Sequence, residues 1–277
     1  MKVTSLIDNI CRHEGFDAEH GLSLFIERKD GKVVLFDTGQ SDLFAHNASR
    51  LGLSLEDVDT AVISHGHYDH GGGLSTFLSL NGHARVFIHH DAFQPHYSIH
   101  DDGLHYIGLD PGLQGHERLA SCNGLTTIDS QMTLFADVRG NCCYPTGNQR
   151  LLGCDKATPD TFTHEQNLII TEDGKTILFA GCAHRGIVNI MRRATEIIGH
   201  APTHVFAGMH LSKSTLTEAN ADADEDKFIR TLASELMRYP DCQYYTMHCT
   251  GTIAYAKLSA IMGTQIEYLP CTSSVEI

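Results

Sequence analysis

Ala61-Val62-Ile63-Ser64-His65-Gly66-His67-Tyr68-Asp69-His70-Gly71-Gly72-Gly73 is the stretch whose reading decides the fold of this chain. Three apolar residues read as the end of a strand and three glycines follow, so His65, His67, Asp69 and His70 are predicted to sit on a loop at that strand's end. Two imidazoles one residue apart converge on a single ion if the backbone between them turns, which Gly66 permits. Asp69 and His70 then offer a carboxylate and a third imidazole to a second ion. Such a mixture suits Zn²⁺, Fe or Mn²⁺ rather than Ca²⁺. The competing reading is a polar turn with exposed histidines. Four ligand-type residues within six positions, at a strand terminus, argue against it.

Outward from this loop the clearest pattern is an apolar run, a turn and a second apolar run: Leu22 to Ile26, Lys29-Asp30-Gly31, then Val33 to Phe36. It reads as a β-hairpin. The pattern returns at Asn167 to Thr171, Asp173-Gly174 and Thr176 to Phe179, and both copies share Asp-Gly-Lys-x-x-Leu-Phe, which suggests an internal duplication. Further strands are predicted at Thr60 to Ser64, Arg85 to His89, His204 to Ala207 and Tyr244 to His248. Helices are predicted at Gly72 to Leu80, Ile187 to Ile198, Glu225 to Met237 and Ile253 to Met262. Strands and helices interspersed in both halves imply an α/β layered architecture. Between Asp91 and Phe162 the pattern weakens into Gly, Asp, His and Asn, and reads as irregular active-site loops within one domain spanning 1–277.

Composition narrows the function. Twenty Lys and Arg stand against 34 Asp and Glu, a formal charge of −14, which opposes non-specific nucleic-acid binding. Met1 to Ile10 lacks the pattern of a signal peptide and no run reaches the length of a membrane span, so the expectation is a cytoplasmic protein with no membrane partner. Nine cysteines without a CxxC pair fit reduced thiols rather than a disulfide scaffold or zinc ribbon. Nineteen histidines raise the expectation of metal chemistry.

The run HGHYDH matches the HxHxDH signature of the metallo-β-lactamase superfamily, and Leu35-Phe36-Asp37-Thr38-Gly39 resembles the strand that precedes it there. The resemblance implies a four-layer αβ/βα sandwich, an α/β (α+β) fold with two divalent ions at one edge between the sheets. It implies that His65 and His67 bind the first ion, that Asp69 and His70 bind the second, and that Asp37 orients the histidine loop. Where superfamily members usually place a bridging Asp, this chain has Gly181-Cys182-Ala183-His184-Arg185-Gly186. Cys182 and His184 are the expected ligands there, with a buried thiol as the alternative for Cys182. His248 matches the C-terminal metal histidine. Within the superfamily the chain is most similar to the dihydropterin-6-methyl-(ribofuranosyl)aminobenzene 5′-phosphate synthase-like branch. The matching strings are Glu19-His20-Gly21-Leu22-Ser23, the histidine run, Gly181 to Asn189, Gly208-Met209-His210-Leu211 and His248-Cys249-Thr250-Gly251.

Around these ligands the expected substrate-binding residues are His20, His210, Thr250 and Gly251, the last two at the start of a helix whose unpaired amides suit a phosphate or carboxylate. Asp69 is expected to guide a proton besides binding its ion, and His210 or Arg185 to stabilise charge on the substrate. His164 and Glu165 are further candidates to complete the first ion's set. His89, His90, His96, His100, His105 and His116 lie in the irregular middle and read as exposed. Two ions, Zn²⁺ before Fe or Mn²⁺, would lower the pKa of a shared water toward neutrality. A hydrolase or transferase acting on a small phosphorylated or pterin-like molecule follows. The alternatives are an iron-dependent redox protein with a separate electron donor and a non-catalytic metal-pocket sensor.

Overall fold

Each predicted hairpin forms and becomes the middle of its own sheet. The computed structural model describes residues 1–211 and 223–277. In the first part of the chain the strands are β1 (Lys2–Ile7), β2 (Ser23–Glu27), β3 (Val33–Phe36), β4 (Thr60–Ile63), β5 (Arg85–His89), β6 (Tyr97–His100), β7 (Gly103–Tyr106), β8 (Leu119–Cys122), β9 (Leu125–Thr127), β10 (Met132–Phe135) and β11 (Leu151–Leu152). The rest supplies β12 (Asn167–Glu172), β13 (Lys175–Ala180), β14 (His204–Ala207), β15 (Gln243–Thr246), β16 (Ile266–Tyr268) and β17 (Ser274–Glu276). The helices are α1 (Leu43–Arg50), α2 (Tyr68–Gly71), α3 (Leu74–Leu80), α4 (Ile187–Ile198), α5 (Ala223–Leu236) and α6 (Thr252–Met262).

One seven-stranded sheet runs β17-β1-β2-β3-β4-β5-β8 and the other β9-β10-β12-β13-β14-β15-β16. In both, three antiparallel pairings lead through the hairpin into three parallel ones. That repeated order of pairings is what a duplicated half produces. The central strands are buried on both faces, as parallel strands covered by helices must be. Leu24, Val34, Phe36 and Val62 meet Leu168, Ile170, Phe179 and Phe206 between the sheets, with the Phe36 and Phe179 rings 6.0 Å apart. Phe25, Leu35, Ala61 and Ile63 face the other way, onto Phe44 of α1 and Leu74 and Phe77 of α3. Leu178 and Val205 likewise pack on α4 and α5. The result is four layers, helix-sheet-sheet-helix.

The stretch 91–162 corrects the expectation of irregular loops. It holds β6 to β11, of which β8 extends the first sheet and β9 and β10 the second, while β11-β6-β7 forms a small sheet of its own. These strands are two to four residues long and partly exposed, too short for an alternating pattern to show. The helix expected from Gly72 to Leu80 begins at Leu74 as α3, and a separate turn of helix, α2, precedes it at Tyr68–Gly71. Side chains at Gly72 and Gly73 would overlap the carbonyls of Gln40 and Thr38, so these glycines admit the loop that carries Thr38 to Ser41. Among the described residues no helix is long and apolar enough to cross a membrane.

Candidate metal centre

The two sheets present their strand ends side by side, and the ligand-type residues gather there. The loop after β4 carries His65 and His67, α2 carries Asp69 and His70, the loop after β13 carries Cys182 and His184, and the turn after β15 carries His248. Asp37, Ala183, His210 and His248, all at or just beyond strand ends, have φ of 62°, 54°, 47° and 50°. Left-handed backbone at non-glycine residues costs roughly 1–2 kcal/mol each and persists where the surroundings dictate it.

Four of the five imidazoles, those of His65, His70, His184 and His248, are held by Nδ1 and aim Nε2 inward. Asp37 accepts Ser64 N–H (2.7 Å) and Ser64 Oγ–H (2.7 Å) and pairs with His70 Nδ1 at 2.6 Å. With its proton on Asp37, Ser64 Oγ accepts from His65 Nδ1 at 2.9 Å. Asn148 Oδ1 takes His184 Nδ1 (2.9 Å), and Asn9 Oδ1 takes His248 Nδ1 (2.8 Å). Fixing Nδ1 in this way sets the tautomer and turns the lone pair of Nε2 toward an ion.

Two of the ligand-type groups that form here share Cys182, while His67 groups with His96, Asp160 and His164. Asp69, His70, Cys182 and His248 each place a ligand atom within 4.8 Å of the others, and so do His65, Cys182 and His184. In the first group His70 Nε2 lies 3.1 Å from Cys182 Sγ and 3.2 Å from His248 Nε2, and Asp69 Oδ2 lies 3.2 Å from His248 Nε2. Beside the second, the His67 ring stands 4.6 Å from that of His65 and 4.9 Å from that of His184. The Nε2 atoms of His65, His67 and His184 are buried with no hydrogen-bond partner. Buried polar atoms left unpaired are costly, and a cation is the partner that three converging imidazoles suit.

Electrostatics agree with this division. Burial, together with the neighbouring imidazoles, lowers His65, His67 and His184 well below the usual histidine range and keeps them neutral donors. Burial alone would raise Asp69, but His70, His20 and His248 hold it well below the carboxylate range. Burial opposes charge on His70 too, yet Asp37 and Asp69 raise it to about 9. Burial pushes the Cys182 thiol up, reinforced by Cys249. The Cys249 thiol goes down: burial is outweighed by its hydrogen bond with Cys182 and by His248 and His210.

A cavity of about 350 Å³ opens onto both groups. His20, Tyr68, Ser98, His100, His210 and Cys249 are among the residues that line it. His20 is half-exposed, bonds Asp69 Oδ2 through Nε2 at 3.2 Å, and is raised above the usual histidine value because Asp69 outweighs its burial.

Comparison with known proteins places this geometry. A family model described as the metallo-beta-lactamase superfamily matches residues 17–139. The uncharacterized protein MJ0448 of Methanocaldococcus jannaschii is 30% identical over 268 residues, covering 92% of this chain and 93% of that protein. The chain belongs to the metallo-beta-lactamase superfamily. A second relative from the same organism, named 7,8-dihydropterin-6-methyl-4-(beta-D-ribofuranosyl)-aminobenzene-5'-phosphate synthase, is 24% identical over 274 residues, 91% of this chain and 88% of that protein. The crystal structure of Tm1679, described as a metal-dependent hydrolase of the beta-lactamase superfamily, matches with a TM-score of 0.80 and 29% identity, covering 100% of this chain and 99% of that one. YhfI from Bacillus subtilis, a metallo-beta-lactamase fold protein, shares the fold at a TM-score of 0.54 and 12% identity.

Several expected roles change within this metallo-beta-lactamase frame. Arg185 does not line the cavity: its guanidinium donates to the carbonyls of Val138 (2.8 and 3.0 Å) and Thr161 (3.0 Å) and so ties loops together. Thr250 is fully buried, its hydroxyl accepting Met209 N–H at 2.9 Å and bonding Thr246 Oγ1 at 2.6 Å, so it braces the turn that carries His248. The Gly251 amide is engaged by His248 O at 3.2 Å, and Gly251 lines a neighbouring cavity of about 250 Å³ instead.

His164 and Glu165 are engaged within the protein, and His164 falls in a group with His67, His96 and Asp160. His164 accepts Gly66 N–H at Nδ1 (2.9 Å) and pairs with Asp160 through Nε2 (3.2 Å). Glu165 accepts the amides of His184 (2.6 Å) and Arg185 (3.0 Å), and burial raises it to about 7. Gly66 is needed for closeness rather than a turn, because a side chain there would overlap the Ala92 carbonyl. His89 and His96 are buried rather than exposed. The residues that sequence reasoning missed are Asn9, Ser64, Asn148 and Cys249. Of these only Ser64 and Cys249 sit beside quoted ligands, and Asn9 and Asn148 carry no local signal.

Proposed function

We propose that the protein is a metal-dependent hydrolase that holds two divalent cations, Zn²⁺ foremost, and acts on a small phosphorylated molecule. The observation that carries this reading is the convergence of His65, His184, His70, His248 and Asp69 around the shared Cys182 thiol, with the Nε2 atoms of His65, His184 and the adjacent His67 buried and unpartnered. When bound, the cations would acidify water and polarise the bond under attack.

The chain's own side chains supply the rest. Asn148, Ser64, Asp37 and Asn9 hold four imidazoles in one tautomer each. Asp69 links the metal side to His20, whose half-exposed ring can pass a proton between the cavity and solvent. His210 and His20 give an otherwise acidic molecule imidazole donors for a phosphoryl oxygen. A cavity of about 350 Å³ suits a small molecule rather than a polymer, and a charge of −14 opposes nucleic acid. The similarity to the synthase supports a second reading, group transfer on a pterin-like substrate at the same site.

The test is the metal content of protein purified without added metal, followed by turnover of phosphoesters, thioesters and pterin precursors with Zn²⁺, Mn²⁺ or Fe²⁺. His67→Ala is expected to lose one or both equivalents. Unchanged metal content in that variant would refute the ligand assignment, and no turnover with any metal would refute the enzyme.

A further inference from the structure

Cys249 has no part in the two groups described above, yet it is built into the same wall. It is buried, and its backbone is locked to the loop after β14: Leu211 N–H donates to Cys249 O (2.8 Å), Met209 N–H to Thr250 Oγ1 (2.9 Å) and His210 N–H to Cys249 Sγ (3.2 Å). A side chain at Gly208 would sit 2.6 Å from that sulfur, so the glycine lets Cys249 Sγ lie against the backbone beside Cys182. His210 and His248 both take left-handed backbone, with φ of 47° and 50°, where the two loops meet. The Nδ1 atom of His210 is buried without a hydrogen-bond partner. Cys182, His210 and Cys249 each place a ligand atom within 4.8 Å of the other two, and all three line the cavity.

We propose that Cys249, Cys182 and His210 form a third, sulfur-rich cation subsite on the cavity side of the metal centre. Two sulfurs and one imidazole select a soft or borderline divalent ion, of the Zn²⁺ or Cd²⁺ class, over Mg²⁺ or Ca²⁺. Donors around a tetrahedral ion of this kind stand ~3.3–3.8 Å apart, so the observed spacing closes with side-chain shifts of about 1 Å. Each thiol releases its proton to solvent as its sulfur–metal bond forms. Cys182 is shared with the two-ion centre, so the inference rests on that reading, and the experiment separates the two.

The full-length protein, stripped of metal, is titrated with ¹¹³Cd²⁺ and followed by native mass spectrometry and cadmium NMR. The wild type is expected to bind three equivalents, one giving the most downfield resonance because two sulfurs ligate it. Cys249→Ser is expected to lose that resonance and one equivalent while keeping two. If Cys249→Ser fails to fold, His210→Gln is read instead and is expected to lose the same equivalent. Two equivalents in the wild type, with none lost on either substitution, would overturn the subsite and leave the two-ion centre standing. No bound cadmium in the wild type would overturn both.

Discussion

Replacing Asp37 by Asn separates two effects that the Asp37–His70 pair sets against each other. Asn is tolerated at the left-handed φ of 62° and keeps an acceptor for Ser64 or His70 while removing the charge. In the metal-free wild type His70 is raised to about 9, so at neutral pH an ion must displace a proton from the ring, weakening apparent affinity ~100-fold. Without Asp37 the ring loses the larger of the two carboxylate influences that raise it, and this competition at neutral pH shrinks. Loss of the orienting carboxylate itself costs about 10–100-fold in affinity. The two changes therefore nearly offset at pH 7, where the variant is expected within about tenfold of wild type. Above pH 9 only the loss remains, and the variant is expected to bind about 10–100-fold more weakly.

Competition against a chromophoric chelator from pH 6.5 to 9.5 reads both regimes. Protonation of Cys182 contributes the same slope to both proteins, so the difference between the curves isolates His70. Parallel curves, with the same deficit at every pH, would refute the proton competition assigned to His70.

Asn148→Ala removes the partner of His184 Nδ1 and is expected to weaken the ion on the His65–His184 side about 10–100-fold while sparing the other, as read by stepwise zinc titration. Arg185→Met is expected to lower stability by about 1–3 kcal/mol through the orphaned Val138 and Thr161 carbonyls and to leave KM unchanged. A raised KM at unchanged stability would put the guanidinium back in the cavity. Glu165 is raised from 4.5 to about 7 in the folded chain, so it binds its proton more tightly there than when unfolded. Its contribution is complete below pH 4.5 and is lost as pH rises through 7, with a ceiling of about 3 kcal/mol. Chelator-treated wild type should lose that much more stability than Glu165→Gln between pH 4.5 and 8, and equal losses in urea melts would refute it.

The parts of this molecule legible from sequence are those whose signal is local. The hairpins declared themselves because Asp30-Gly31 and Asp173-Gly174 sit between apolar runs, and the histidine loop because four ligand types crowd into one turn. Distant pairings were harder. Strand β1 pairs with β17 near the other terminus, and no local pattern marks that partnership. Arg185 illustrates the same limit at the site: beside His184 in sequence it resembles a substrate contact, but side-chain direction sends it to Val138 O. Glu165 and His184 are 19 residues apart, and only the fold shows that the carboxylate accepts the backbone N–H of His184.

The centre straddles the seam between the two sheets, with one half bringing His65, His67, Asp69 and His70 and the other Cys182, His184 and His248. A nascent polypeptide that has emerged only as far as β12 therefore owns four of the seven donors and lacks the sulfur common to both groups. Tight capture of metal must wait until nearly the whole chain has left the ribosome and its halves have docked. With this ligand set, ion uptake would report completed assembly, and a truncated or half-docked product would surrender its cations readily to a chelator.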